Sequence, residues 1–133
     1  MLTEKDYCDY DTCVALRELG YMGICDAYYD LTGNYSYNHD SFEILYTRDF
    51  IHPDDKDRVA APLLYQPQKW LRKEKEIEVN ASWDNEKSYW FWYISKMADI
   101  DYSNNIVSES IYNTYEEALS EGIKEASKHI EII

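Results

Sequence analysis

The most regular pattern in the chain is Glu76-Ile77-Glu78-Val79-Asn80-Ala81-Ser82-Trp83, in which polar and apolar residues alternate without a break. A period of two puts Ile77, Val79, Ala81 and Trp83 on one side of a strand and the polar set on the other. Asp84-Asn85-Glu86-Lys87 reads as a hairpin loop, and Ser88 to Met97 returns as the partner strand. With an even loop, Ala81 opposes Trp90, Val79 opposes Trp92 and Ile77 opposes Ile94, so Trp90, Trp92 and Ile94 enter the core. A bulge or an odd loop would exchange the two faces. Near the end, Tyr115, Ala118, Leu119, Gly122, Ile123, Ala126 and Ile130 recur at helical spacing behind the capping box Thr114-x-x-Glu117. Gly122 lies on that stripe, where its missing side chain predicts a close approach of helix to sheet.

The remaining pattern is shorter. Asp9 or Asp11 caps a helix whose apolar side is Val14, Ala15, Leu16 and Leu19, with Gly20 at the residue just past its end. Cys25 to Asp30 reads as a strand, Leu31-Thr32-Gly33-Asn34 as a turn, and a second strand falls at Tyr35-Ser36-Tyr37 or at Phe42 to Tyr46. Thr47 to Asp57 is charged and turn-like, and so is Asp99 to Asn113. Leu63, Pro67, Trp70 and Leu71 share one face of a middle helix, where Pro67 predicts a separate first turn or a kink. Lys69, Arg72, Lys73 and Lys75 crowd its last turns, which suits the negative end of the helix dipole. The pattern implies an α+β fold: one small domain over residues 1–133, with an antiparallel sheet centred on the hairpin 76–83/88–97. About three helices, at 11–19, 62–75 and 114–128, pack on it, and an irregular acidic loop or insertion occupies residues around 38–58.

Three segments carry a resemblance. They are Tyr10-Asp11-Thr12-Cys13-Val14-Ala15-Leu16-Arg17-Glu18-Leu19-Gly20-Tyr21, Ala61-Pro62-Leu63 with Lys69-Trp70-Leu71-Arg72-Lys73-Glu74, and Tyr112-Asn113-Thr114-Tyr115-Glu116-Glu117-Ala118-Leu119-Ser120-Glu121-Gly122-Ile123-Lys124-Glu125-Ala126. In that order they resemble small proteins encoded by phages and mobile elements of gut bacteria, a group with no established activity. The resemblance implies a small α+β domain in a bacterial or viral cytoplasm and implies no reaction. Residues 38–58 depart from the group's pattern.

Composition narrows the function classes. The chain has 133 residues, 45% of them apolar and 16% aromatic, with 14 tyrosines. A chain this aromatic buries a core, which excludes a disordered tail. Asp and Glu number 26 against 13 Lys and Arg, a net charge of −13, which disfavours direct binding of nucleic acid through phosphates. The acidity is uneven: residues 1–57 carry 13 acidic and 4 basic side chains, residues 58–133 carry 13 and 9. The longest apolar runs fall short of a membrane span, and no signal peptide follows Met1, so the expectation is a cytoplasmic protein with no membrane contact.

Candidate chemistry is sparse. Cys8, Cys13 and Cys25 are odd in number and match no paired metal spacing; Cys8 and Cys13 read as small buried or half-buried thiols near the first helix. With glycine only at positions 20, 23, 33 and 122, no phosphate loop or dinucleotide fingerprint can be written. His39, His52 and His129 lie in separate segments, and His39-Asp40 with His52-Pro53-Asp54-Asp55 reads as solvated turns before it reads as a metal site. The expectation is therefore no catalytic set, no cofactor and no metal.

What remains is surface. Ser88 to Ile94 is aromatic on both faces, whereas a sheet covered on one side alternates apolar with polar. Tyr89, Phe91 and Tyr93 therefore need cover from the chain itself or from a partner, and they are the candidate partner surface. Asp54, Asp55 and Asp57 are the candidate acidic surface, suited to a basic partner. The leading expectation is a non-enzymatic accessory protein that binds another protein, basic in charge, or a second copy of itself as a homodimer. The alternative is an acidic DNA mimic that occupies the basic groove of a DNA-binding enzyme.

Overall fold

The computed structural model describes residues 3–21, 27–37, 57–96 and 105–129, and divides the chain into two compact units, Met1–Gln66 and Pro67–Ile133. The fold is α+β, as the pattern implied. It holds three α-helices, α1 (Tyr10–Glu18), α2 (Tyr65–Lys75) and α3 (Tyr115–His129), and two antiparallel three-stranded sheets among the described residues.

In the first unit, β1 (Ala27–Asp30) lies between β2 (Tyr35–Tyr37) and β3 (Arg58–Ala60). Asp9 caps α1, its carboxylate accepting from the Thr12 N–H at 2.8 Å. At the other end the Gly20 N–H donates to the Arg17 carbonyl and the Tyr21 N–H to the Leu16 carbonyl, both at 3.0 Å. That pair of bonds is a Schellman closure, and it requires the left-handed backbone that Gly20 adopts at φ +86°. Leu16 and Tyr21, joined by it, are both buried. One Asp30 carboxylate oxygen accepts from the Thr32 hydroxyl, the Thr32 N–H and the Asn34 N–H at 2.6, 2.9 and 3.0 Å. The Thr32 hydroxyl bond is the largest cause holding that carboxyl below its usual range. Tyr7, Tyr10, Tyr29 and Tyr35 form a tilted and edge-to-face ring cluster with centroids 5.7–5.8 Å apart.

α2 carries the chain from one unit into the other. Its onset corrects the expected one: the helix starts at Tyr65, which places Pro67 third in its first turn. Backbone N–H groups there have no intrahelical acceptor, so the proline removes nothing and no kink is needed.

In the second unit, β5 (Tyr89–Lys96) lies between β4 (Ile77–Asp84) and β6 (Ile106–Val107), and α3 packs on β4 and β5. Glu117 N–H donates to the Thr114 hydroxyl at 3.1 Å, which caps α3. Ala118, Leu119, Ile123 and Ala126 are buried, as are Ile77, Val79, Trp92 and Ile94 beneath them. The hairpin faces are those expected, but the register is two residues along: Ala81 opposes Trp92, Val79 opposes Ile94 and Trp83 opposes Trp90. Asp84 explains the shift. Its carboxylate accepts from the Glu86 and Lys87 N–H groups, and its carbonyl from the Ser88 N–H at 2.8 Å, with Ser88 at φ +56°. Asp84 is thus the last residue of the ladder and the loop is Asn85–Ser88, still even, so parity survives.

Two strands correct the sequence reading. β3 begins at Arg58, at the margin of the expected loop, and β6 sits inside the stretch read as turns. The rest of the 38–58 expectation, and the strand at Phe42 to Tyr46, fall largely or wholly outside the described residues.

Candidate functional site

The sheet of the second unit has two unlike faces. On β5, Trp92 points at α3, so Tyr89, Phe91 and Tyr93 lie on the opposite face, where Asp84, Ser82 and Asn80 are their β4 neighbours. All three rings are half-buried, and the Tyr89 and Phe91 centroids stand 6.4 Å apart, edge to face. Tyr93 pairs with Val107 of β6, which is 52% exposed and extends the face beyond the rings. At its other margin Glu78 is gripped by Arg72 of α2, Nε to Oε2 at 2.6 Å and Nη2 to Oε1 at 3.1 Å. The hydrogen bond to Glu78 is the first cause of a raised Arg72 pKa. The Gln68 side-chain amide donates to the Val79 carbonyl at 2.8 Å, giving a partner to a main-chain acceptor on the edge strand β4. The face is therefore bordered by bonded polar groups along β4 and by exposed apolar surface along β6.

Asp57 is exposed, one residue before β3 in the first unit; Asp54 and Asp55 lie outside the described residues. Cys8 and Cys13 are both buried, and the Cys13 thiol donates to the Cys8 carbonyl at 3.5 Å, as small interior residues do. Cys25, His39, Asp40 and His52 lie outside the described residues. Among the described residues no group of three or more His, Cys, Asp or Glu side chains could hold a metal ion, and no helix is long and apolar enough to cross a membrane.

One feature escaped the sequence reading. Trp83 shares the face of Trp92, and the alternation assigns both to the core, yet Trp83 is 45% exposed and Trp92 only 7%. Its position beside the hairpin loop was the available signal, because helix cover need not reach the end of a strand. No protein-family model, curated protein or solved structure matches the chain.

Proposed function

We propose that this is a non-enzymatic accessory protein that acts by binding another protein through the face carrying Tyr89, Phe91 and Tyr93. The single observation behind the reading is that face: three aromatic rings on the side of β5 away from α3, continued by a Val107 that is 52% exposed. Tyrosine and phenylalanine bury large area with few rotatable bonds, and interface energy concentrates on such anchors. The partner in this reading is basic, since a net charge of −13 accelerates encounter with positive surfaces; a second copy of the chain would bind against that charge, through the aromatic face alone. The setting is the cytoplasm of a bacterium carrying the phage or mobile element that encodes the protein.

The test is capture of partners at low and high salt, together with the molecular mass in solution, for the wild type, Phe91→Glu and the triple neutralised variant of Asp54, Asp55 and Asp57. An aromatic anchor tolerates salt, so Phe91→Glu should abolish assembly in both conditions while the triple variant retains it. Loss of binding in the triple variant alone, with duplex DNA competing, would establish the DNA mimic instead.

A further inference from the structure

A second surface lies at the hairpin end of the same unit, on the face that α3 covers. Trp83 and Trp90 are directly opposed in the ladder, with ring centroids 5.5 Å apart at 60°. Trp90 in turn meets Tyr115, the first residue of α3, at 5.5 Å and 80°. The outermost ring, Trp83, is 45% exposed. Its indole N–H donates to Asn85 Oδ1 at 2.9 Å, which fixes the ring and occupies its one polar atom within its own loop. A ligand arriving there meets an oriented π face with no donor left to offer. Such a face selects apolar groups or cations, and charge decides between them. The hairpin loop that follows Trp83 carries Glu86 beside Lys87, and the first turn of α3, directly after Tyr115, carries Glu116 and Glu117. The carboxylates favour a cation, and arginine is the side chain whose planar guanidinium stacks on an indole while its edge hydrogen-bonds to carboxylates.

We propose that Trp83, backed by Trp90 and Tyr115, is a docking site for an arginine in a basic segment of a partner protein, with Glu86, Glu116 and Glu117 as its charged border. The site is independent of the face around Phe91, on the other side of the sheet.

The probe is a capped hexa-arginine peptide titrated into the full chain, read by the nuclear magnetic resonance signal of the Trp83 indole N–H and by the dissociation constant. The peptide should shift that resonance, and Trp83→Ala should weaken binding about two- to fivefold, the scale of an exposed cation–π contact. Trp83→Leu, which keeps apolar bulk without the π face, should weaken it equally, and Trp83→Phe should restore part of it. Glu116→Gln with Glu117→Gln should weaken binding at low salt and lose its effect at high salt. Equal affinity for Trp83→Leu and the wild type would overturn the proposal, because the peptide would then be held by diffuse charge. A Trp83 resonance that moves with protein concentration alone, or with cellohexaose and not with the peptide, would overturn it in favour of self-association or a sugar.

Discussion

Replacing Gly122 by alanine sets two terms of opposite sign against each other. In a helix interior alanine is favoured over glycine by about 1 kcal/mol, so a surface site would gain stability. Gly122 is no surface site. A Cβ there would sit 2.9 Å from Trp92 Cβ, 3.0 Å from Val79 Cγ1 and 3.2 Å from Trp92 Cγ. Trp92 Cβ is bonded to the backbone of the central strand β5, so it yields only if strand or helix moves. Forcing one carbon into a filled core costs about 1–3 kcal/mol, which exceeds the propensity gain over most of that range. The expected net loss is about 1 kcal/mol for Gly122→Ala and at least about 3 kcal/mol for Gly122→Leu, whose extra carbons have no space. All four tryptophans, at 70, 83, 90 and 92, lie within Pro67–Ile133, so urea unfolding followed by tryptophan emission reports this unit. Removing the second obstacle should recover part of the loss: Val79→Ala should cost less in the Gly122→Ala background than in the wild type. A Gly122→Ala protein more stable than the wild type by about 1 kcal/mol would refute the close approach, because propensity would then be the only term acting.

Two predictions concern the first unit. The Thr12 hydroxyl is fully buried with no hydrogen-bond partner among the described residues, so Thr12→Val, equal in shape, should stabilise by about 1 kcal/mol in chemical denaturation; an unchanged or lower stability would show that the hydroxyl is satisfied. Burial, seconded by the nearby Cys13, pushes the Tyr29 phenol well above its usual range. Its folded pKa therefore exceeds its unfolded one, so the associated stability is present below about pH 10 and is lost as pH rises beyond it. Amide exchange in β1 should accelerate across that range in the wild type and less steeply in Tyr29→Phe, and identical slopes would contradict the assignment.

Local chemistry was legible wherever one residue type settles the matter. Period two placed Ile77, Val79 and Ala81 on a single face, and an even loop kept Trp92 and Ile94 with them whatever the register. A cap at Asp9 or Asp11, settled as Asp9, and the Gly20 closure follow equally from residue type and spacing, because each depends on backbone geometry within a turn or two; Gly122 was marked by its place on the helical stripe, and its contacts are with the sheet. Register was decided elsewhere, by three hydrogen bonds onto Asp84, which competed with an equally even loop one residue earlier. β3 and β6, of three and two residues, are too short to carry a period and become strands only because β1 and β5 offer unpaired edges. The candidate sites divide in the same way. The aromatic excess at Tyr89, Phe91 and Tyr93 was visible in the alternation, since a strand aromatic on both faces needs two covers. The exposure of Trp83 was not, for Trp83 and Trp92 have the same parity and the same side chain. Where α3 begins, at Tyr115 against Trp90, determines which of them is covered. Sequence thus determines which way a residue faces, and tertiary structure alone determines whether anything lies in front of it.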